Sequence, residues 1–229
     1  MKKVFDILTM SFLIICLTSL FAWANPRKEP HSAQCIFLID GSQSYKYLDK
    51  AKDTLMNTII TDNSCVKIYV RWISDDSYLD KNSITSAMLN DVNKINNPFS
   101  ITAKRQKAKL MRENEEIKRN IINTVKNSKS PNSPITDIYG ALMASSARFS
   151  REPNLKSKLF IFSDLEDDAK KENKYTINLL NTNVYVMDFQ SNEESEVLKR
   201  YWINFFKKAG AMSVDIRHMD EPLTRYTKR

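Results

Sequence analysis

Glycine occurs only three times in the 229 residues, at positions 41, 140 and 210. Loops that hold nucleotide phosphates need several glycines close together, because the backbone must approach the phosphates closely. The sequence therefore excludes a P-loop and a dinucleotide-binding loop. Histidine is also scarce, with only His31 and His218. The sequence thus shows no zinc cluster, and it gives poor support to a serine–histidine triad that uses Ser42.

The first residues are typical of an export signal. Two lysines precede an apolar run over Ile7–Ala22, and Ala22-Trp23-Ala24 places small residues at the spacing that a signal peptidase recognises. We therefore interpret residues 1–24 as a signal peptide, cleaved after Ala24, and expect a periplasmic or secreted protein of bacterial type. The alternative is an uncleaved membrane anchor, although the run is shorter than the roughly 20 residues that span a bilayer.

Cysteine is also rare. Cys16 leaves with the signal peptide, so Cys35 and Cys65 remain, each at the start of an apolar run. An oxidising compartment makes their pairing the default. If the two runs are neighbouring parallel strands, both cysteines lie at the same end of the sheet, within reach of a disulfide. We predict a Cys35–Cys65 disulfide; the alternative is two free buried thiols.

The rest of the composition predicts one folded domain. Hydrophobic residues make up 42% of the chain and aromatic residues 10%, which is enough for a core. We expect a flexible lead-in over residues 25–33, one domain over 34–219 with no membrane span, and a tail over 220–229. The formal net charge is +8, or +7 once Lys2, Lys3 and Asp6 leave with the signal. Such a charge favours anionic surfaces without identifying a partner.

Apolar runs rich in Ile, Val, Phe and Tyr alternate with helix-like stretches. The runs predict strands at Cys35–Asp40, Val66–Ser74, Lys158–Ser163, Val184–Phe189 and Ser213–His218. The stretches predict helices at Tyr45–Ile60, Ala103–Val125, Ile135–Arg148, Asp167–Leu180 and Glu193–Ala209, the last ending at Gly210. Residues 75–100 are ambiguous between a loop and a short edge strand around Ile84–Leu89. The alternation predicts an α/β fold: a doubly wound, mostly parallel sheet with helices on both faces.

Oxygen ligands follow the first predicted strand. Asp40, Ser42 and Ser44 offer a carboxylate and two hydroxyls from one turn, in which Gly41 allows the backbone to bend. Thr136 stands at the start of a predicted helix, and Asp164 ends another apolar strand. In open α/β sheets, ligands bind at the carboxyl ends of the strands. Hard oxygen ligands of this kind suit Mg²⁺.

The pattern resembles the von Willebrand factor A family, whose metal-ion-dependent adhesion site combines Asp-x-Ser-x-Ser with a distant Thr and a distant Asp. Asp40, Ser42 and Ser44 match the first element, Thr136 in Thr-x-Ile-x-x-Ala-Leu the second, and Asp164 the third. The resemblance covers residues 34–219. It implies a Mg²⁺ or Mn²⁺ ion held by these five residues, with an open position that takes a carboxylate from a protein partner.

Two departures from the family pattern bear on the metal. Ser-Pro-Ile precedes Thr136, and Leu165 follows Asp164, where glycines are common in the family. Both loops are therefore expected to differ in shape. The function implied is that of an exported binding protein and not of an enzyme. The alternatives are a metal-dependent hydrolase built on Asp40 and Asp164, and a structural module of the same fold without metal.

Several of these residues also have a purely structural interpretation. Ser42 or Ser44 would cap the following helix, and Thr136 would cap its own. Three acids at 166–168 either extend the metal site or, as we favour, form a solvated helix start that the helix dipole stabilises. We expect Trp202, Phe205 and Phe206 to anchor the core.

The predicted helix over Ala103–Val125 carries a cluster of basic residues. The cluster consists of Lys104, Arg105, Lys107, Lys109 and Arg112. It could contact nucleic acid or anionic lipid. The acids that follow and the apolar stripe of the helix favour a solvated surface helix, so we expect no nucleic acid partner.

Overall fold

The structure, a computed structural model, describes residues 32–95, 100–170, 174–189 and 193–218. The predicted signal peptide with its cleavage site after Ala24, most of the lead-in, His31 and the tail over 220–229 lie outside these residues. Within the described ranges, none of the helices combines the length and the apolar character that a membrane crossing requires.

Six strands form one sheet in the order β3-β2-β1-β4-β5-β6. They are β1 Ala33–Asp40, β2 Cys65–Ile73, β3 Ser83–Met88, β4 Lys156–Phe162, β5 Thr182–Phe189 and β6 Ser213–His218. β3 pairs antiparallel with β2, and every other pairing is parallel. This is the doubly wound order, in which the chain reverses its direction of travel across the sheet between β1 and β4. The predicted fold class is confirmed, and the ambiguous segment does contain an edge strand.

Four helices cover the two faces of the sheet: α1 Leu48–Thr61, α2 Ile101–Asn127, α3 Ile138–Phe149 and α4 Glu193–Lys208. α1 and α2 pack on the face that carries Phe37, through side chains such as Leu55 and Ile121. α3 and α4 pack on the opposite face, where Leu38 lies. Successive residues of β1 thus enter different cores, which explains why the whole strand is buried and reads as a continuous apolar run.

The aromatic residues of α4 anchor the second core, as predicted. Trp202 is 1% exposed and Phe206 0%, and Phe205 is partly buried against them. Complete burial of one such side chain contributes about 1.5–3 kcal/mol. α4 ends at Lys208, and Gly210 follows with φ +96°, the left-handed conformation that a helix end requires of its glycine.

The predicted helix over Asp167–Leu180 is wrong. Residues 164–170 and 175–180 belong to a non-helical connection. Residues 171–173, between them, lie outside the described residues. The amides of the connection are bound elsewhere: those of Asp168 and Ala169 donate to the Thr136 carbonyl, and that of Asn178 donates to the Ser146 hydroxyl. Lys170 adopts φ +51°, which a right-handed helix cannot accommodate.

The disulfide prediction is confirmed. Cys35 and Cys65 are bonded, with their Cα atoms 5.6 Å apart. The two cysteines are not opposite each other, because Cys65 pairs with Ala33 and a register shift follows between Ala33 and Gln34. Both cysteines are buried on the face that α1 and α2 cover. The bond joins the amino ends of two central strands.

Candidate metal centre

Asp40 is the last residue of β1 and is only 1% exposed. Its two carboxylate oxygens have separate donors. Oδ1 accepts a hydrogen bond of 2.9 Å from the Ser42 amide, and Oδ2 accepts one of 2.7 Å from the Ser163 hydroxyl. Ser163 directly follows β4, the strand beside β1. The register between the two strands therefore fixes the orientation of the carboxylate at the switch point of the sheet.

The loop after Asp40 is held by a second loop, over residues 130–133. Ser42 and Ser133 form an isolated parallel bridge. The Ser130 hydroxyl donates to the Gly41 carbonyl at 2.9 Å. A Cβ atom on Gly41 would lie 2.6 Å from two ring carbons of Pro131. Glycine is needed at this position because another loop packs directly against the backbone.

The hydroxyls of Ser42 and Ser44 lie together, 3.1 Å apart. Ser42 is 8% exposed, whereas Ser44 is exposed. Neither serine caps α1, whose N-cap residue is Tyr47 and has no side-chain cap. The structural interpretation of the two serines as caps is therefore wrong. Their hydroxyls lie side by side in the loop whose backbone is bound to the Asp40 carboxylate.

Thr136 is 2% exposed and lies in the loop that leads into α3. It does not cap the helix: the N-cap is Asp137, whose Oδ1 accepts a hydrogen bond of 2.8 Å from the Gly140 amide. The Thr136 carbonyl accepts the amides of Asp168 and Ala169 at 3.1 and 3.3 Å. These bonds join the Thr136 loop to the loop that carries Asp164.

Asp164 is half-buried at the end of β4, and its Oδ1 accepts the Glu166 amide at 3.1 Å. Leu165, where the family often has glycine, adopts φ +65°, the conformation that glycine favours. Its side chain is fully buried, and its carbonyl accepts the Trp202 indole Nε1 at 2.9 Å. Burial of the Leu165 side chain in the core therefore stabilises a left-handed backbone conformation that leucine disfavours.

The carboxyl groups of the site repel one another. Burial raises the pKa of Asp40, and the charge of Asp168 raises it further, against the hydrogen bonds from Ser42 and Ser163. Burial also raises the pKa of Asp164, as do the charges of Asp40 and Asp168, while the Glu166 amide lowers it. Among the residues that the structure describes, no lysine or arginine lowers either pKa.

The three acids at 166–168 are not a helix start. Asp167 instead receives the Ile138 amide on Oδ1 at 2.8 Å and the Lys170 amide on Oδ2 at 2.9 Å. It therefore serves the beginning of α3 from another loop, and burial raises its pKa. Asp168 is exposed, yet its charge acts on both Asp40 and Asp164.

The predicted ligand set does not include Ser163, whose signal was its position beside Asp164 at the end of an apolar strand. Asp168 is one of the three acids at 166–168, for which we favoured a helix start over an extension of the metal site; its charge acts on Asp40 and Asp164. Of the predicted site residues, Asp40, Ser42, Ser44 and Asp164 lie at this edge of the sheet, and Thr136 is tied to it through its backbone.

A second group of metal-ligand atoms consists of Cys35, Asp62 and Cys65, whose ligand atoms lie within 4.8 Å of one another. Both sulfurs belong to the disulfide, so neither is a thiolate that could bind a metal. The Asp62 carboxylate is bound by the Lys158 ammonium at 2.6 Å. In the oxidised protein this group is therefore not a metal site.

No family model matches the sequence, and a search of curated proteins finds no match. Among solved structures, two of proximal thread matrix protein 1 (PTMP1) from the mussel byssus are similar, each at 13% identity. They cover 83% and 82% of this chain, with TM-scores of 0.45 and 0.43. The second is described as having a zinc-occupied MIDAS motif. This chain spans 45% and 44% of those chains, and at these scores the function of this chain has to be argued from its own residues.

Proposed function

We propose that this chain is an exported binding protein that holds a divalent cation through Asp40, Ser42, Ser44, Thr136 and Asp164. The observation that carries the proposal is the pair of carboxylates, Asp40 and Asp164, at the carboxyl ends of the neighbouring strands β1 and β4, at the switch point of the sheet. The charge of Asp40 raises the pKa of Asp164, the charge of Asp168 raises the pKa of both, and no neighbouring cationic side chain in the described part of the chain opposes these effects. A bound cation would oppose them.

The donors fit a hard cation. The site offers carboxylate and hydroxyl oxygens and no sulfur or imidazole, which favours Mg²⁺ or Mn²⁺ over softer metals. Asp40 is buried and Ser44 is exposed. The residues would therefore hold a cation from the protein side. The solvent side stays accessible to a carboxylate of a protein partner.

Binding is favoured over catalysis by the surroundings of the site. His218 lies on β6, three strands away from β1, which corresponds to about 14 Å at the usual strand spacing. It cannot serve as a base for Ser42. Asp40 is instead fixed by burial and by hydrogen bonds from Ser42 and Ser163. A fixed ligand suits an ion that stays bound while a protein partner binds and dissociates.

Export is supported by two features of different origin. The disulfide between Cys35 and Cys65 is typical of proteins that fold in an oxidising compartment. The sequence of residues 1–24 is typical of a signal peptide. We propose the periplasm or the extracellular space as the location.

Photo-crosslinking tests the function. A photoreactive amino acid at the exposed Gln43, between the two serines, is expected to capture a partner from envelope extracts in Mg²⁺ and not in EDTA. The Asp164→Asn variant should lose the capture in Mg²⁺. The matched control places the same group at the exposed Asn57 on α1 and should capture nothing that depends on metal. Capture that is equal in EDTA would contradict the proposal, and Mg²⁺-dependent cleavage of the captured protein would favour the hydrolase.

A further inference from the structure

The core uses only half of the longest helix. α2 has 27 residues, and its buried residues are Lys118, Ile121 and Val125. Ile117 packs against the same core. Of residues 101–112, only Ala103 and Leu110 are even partly covered. A stretch of about 18 Å therefore lies outside the core.

This outer half of α2, residues 101–112, is strongly basic. It carries Lys104, Arg105, Lys107, Lys109 and Arg112, and the first acid of the helix is Glu113. One ion pair to these cations is seen in the described residues, between Lys109 and Glu113 at 3.9 Å. With Lys109 77% exposed, that contact neutralises little of the charge.

The placement of these cations opposes the stability of the helix. Positive charges near a helix N-terminus meet the positive end of its dipole. α2 has no acid in its first turn, and Lys104 and Arg105 follow that turn directly. α4 obeys the usual rule, with Lys207 and Lys208 in its last turn. Neither burial nor helix stability accounts for the basic residues in the outer half of α2. Residues that disfavour the local structure in which they lie are typical of a functional surface.

The outer half lies at the end of the domain opposite to Asp40. Asn114 exchanges hydrogen bonds with Asn90, just after β3, and Lys118 donates to Asn63, just before β2. Both partners mark the amino ends of the parallel strands, and the helix runs outward from there toward residue 101. β1 also begins at this end.

The same end carries further positive charge. A groove of about 340 Å³ between the end of α3 and the β2–β3 pair is lined by Lys67, Arg148 and Arg151. Glu152, which pairs with Lys67, is the acid among the lining residues. The Arg148 guanidinium lies over the Tyr69 ring, 3.9 Å from its centroid. The amino end of the sheet is therefore basic over more than one element.

We propose that the outer half of α2 docks on an anionic phospholipid surface, with the metal centre facing away from it. Charge complementarity carries this choice, since each basic residue near such a surface adds to the attraction. Two exposed apolar side chains on the same half, Ile101 at 69% and Met111 at 48% exposure, can enter the headgroup region. Residues 101–112 contain no Phe, Tyr or Trp on which nucleic acid bases could stack.

Vesicle sedimentation tests the proposal. The chain from Asn25 onward omits the apolar run Ile7–Ala22 and keeps both cores, whose residues all lie between 33 and 216. Its partition into phosphatidylcholine vesicles with 30% phosphatidylglycerol is compared with that into pure phosphatidylcholine. The test variant is Lys104→Gln/Arg105→Gln/Arg112→Gln. The control, Lys46→Gln/Lys126→Gln/Lys129→Gln, removes the same charge from exposed residues near the metal end of the domain.

The expected result is binding to the anionic vesicles alone, unchanged by EDTA and weakened by salt. The test variant should bind at least about tenfold more weakly, and the control should stay within about twofold of the parent. Equal binding to both vesicle types, or an equal loss in the control, would overturn the proposal. Tighter binding to a single-stranded oligonucleotide than to anionic vesicles would also overturn it and assign the surface to nucleic acid.

Discussion

The Ser163 hydroxyl donates a hydrogen bond of 2.7 Å to Oδ2 of Asp40, across the boundary between β1 and β4. Both residues are buried, Ser163 completely. The bond leaves the Asp40 carboxylate in one orientation. If Asp40 binds metal as we propose, Ser163 is its positioning residue, and the loss of such a residue typically changes metal affinity by 10- to 100-fold.

Replacing Ser163 by alanine should therefore weaken Mg²⁺ binding by about tenfold or more. Ser157→Ala is the matched control, because Ser157 is also a buried serine beside β1 but lies at the opposite end of β4, where it accepts Gln34 Nε2. Both variants should lose about 1 kcal/mol of stability, and only Ser163→Ala should lose metal affinity. Titration calorimetry measures the affinity. Equal affinities in the two variants would show that Ser163 does not position Asp40.

At Leu165, glycine should be better tolerated than alanine. The residue has φ +65°, so Leu165→Ala keeps the strain and loses the buried side chain, whereas Leu165→Gly loses the side chain and relieves the strain. The glycine variant should be the more stable of the two by about 1 kcal/mol.

Leu179 provides the control for this comparison. It is also completely buried outside helices and strands, but it is not among the described residues with positive φ. There the alanine variant should be the more stable by about 0.5–1 kcal/mol. Urea denaturation of the four variants gives both differences, and the same order at both positions would contradict the left-handed conformation of Leu165.

Loss of the disulfide should lower stability by about 3–4 kcal/mol, because the bond closes a loop over a sequence separation of 30 residues. The variant is Cys35→Ala/Cys65→Ala. Reductant should destabilise the parent by a similar amount and leave the variant unchanged. Denaturant unfolding with and without reductant measures both effects. Alkylation of two thiols in the unreduced, unfolded parent would show that the bond is absent.

The Asp62–Lys158 ion pair, with side chains 20% and 21% exposed, should make stability depend on pH. Burial tends to raise the pKa of Asp62, but Lys158 and Ser64 outweigh it and lower the pKa overall. A lowered carboxyl pKa contributes stability above the ordinary value of about 3.9, which is lost as the pH falls through the folded value.

Asp62→Asn should therefore cost about 1–2 kcal/mol at pH 7, and the difference from the parent should shrink as the pH falls below about 4. Asp53→Asn, at an exposed position of α1, serves as the control and should show no such trend. Urea unfolding at pH 7, 5 and 3 makes the comparison. A constant difference at all three pH values would contradict the assignment.

The strands could be predicted from sequence because their signal is local. β1 is buried on both faces, so its residues from Cys35 to Ile39 are apolar without interruption. The segment after Asp164 could not be predicted, since its conformation depends on distant acceptors, the Thr136 carbonyl and the Ser146 hydroxyl. For the same reason, the acids at 166–168, Asp168 among them, were interpreted as a helix start in preference to an extension of the metal site.

Gly41 shows a similar limit. Its presence between Asp40 and Ser42 suggested a sharp backbone turn, whereas the structure explains it by the close approach of Pro131 from a loop 90 residues further along the chain. Asp40 and Asp164 could be found from the sequence, because a carboxylate in a known motif indicates a metal ligand by its residue type alone. Ser163, which orients the Asp40 carboxylate, could be identified only from the register between β1 and β4.

Isothermal titration calorimetry with Mg²⁺ and Mn²⁺ tests the central claim, on the chain from Asn25 onward and on its Asp40→Asn and Asp53→Asn variants. Asn is close to Asp in shape and can keep the contact with the Ser42 amide, so the first variant removes the charge and preserves the loop. We predict one bound ion in the parent and in Asp53→Asn, and no binding in Asp40→Asn. Absence of binding in the parent, or equal binding in Asp40→Asn, would contradict a metal centre at this edge of the sheet.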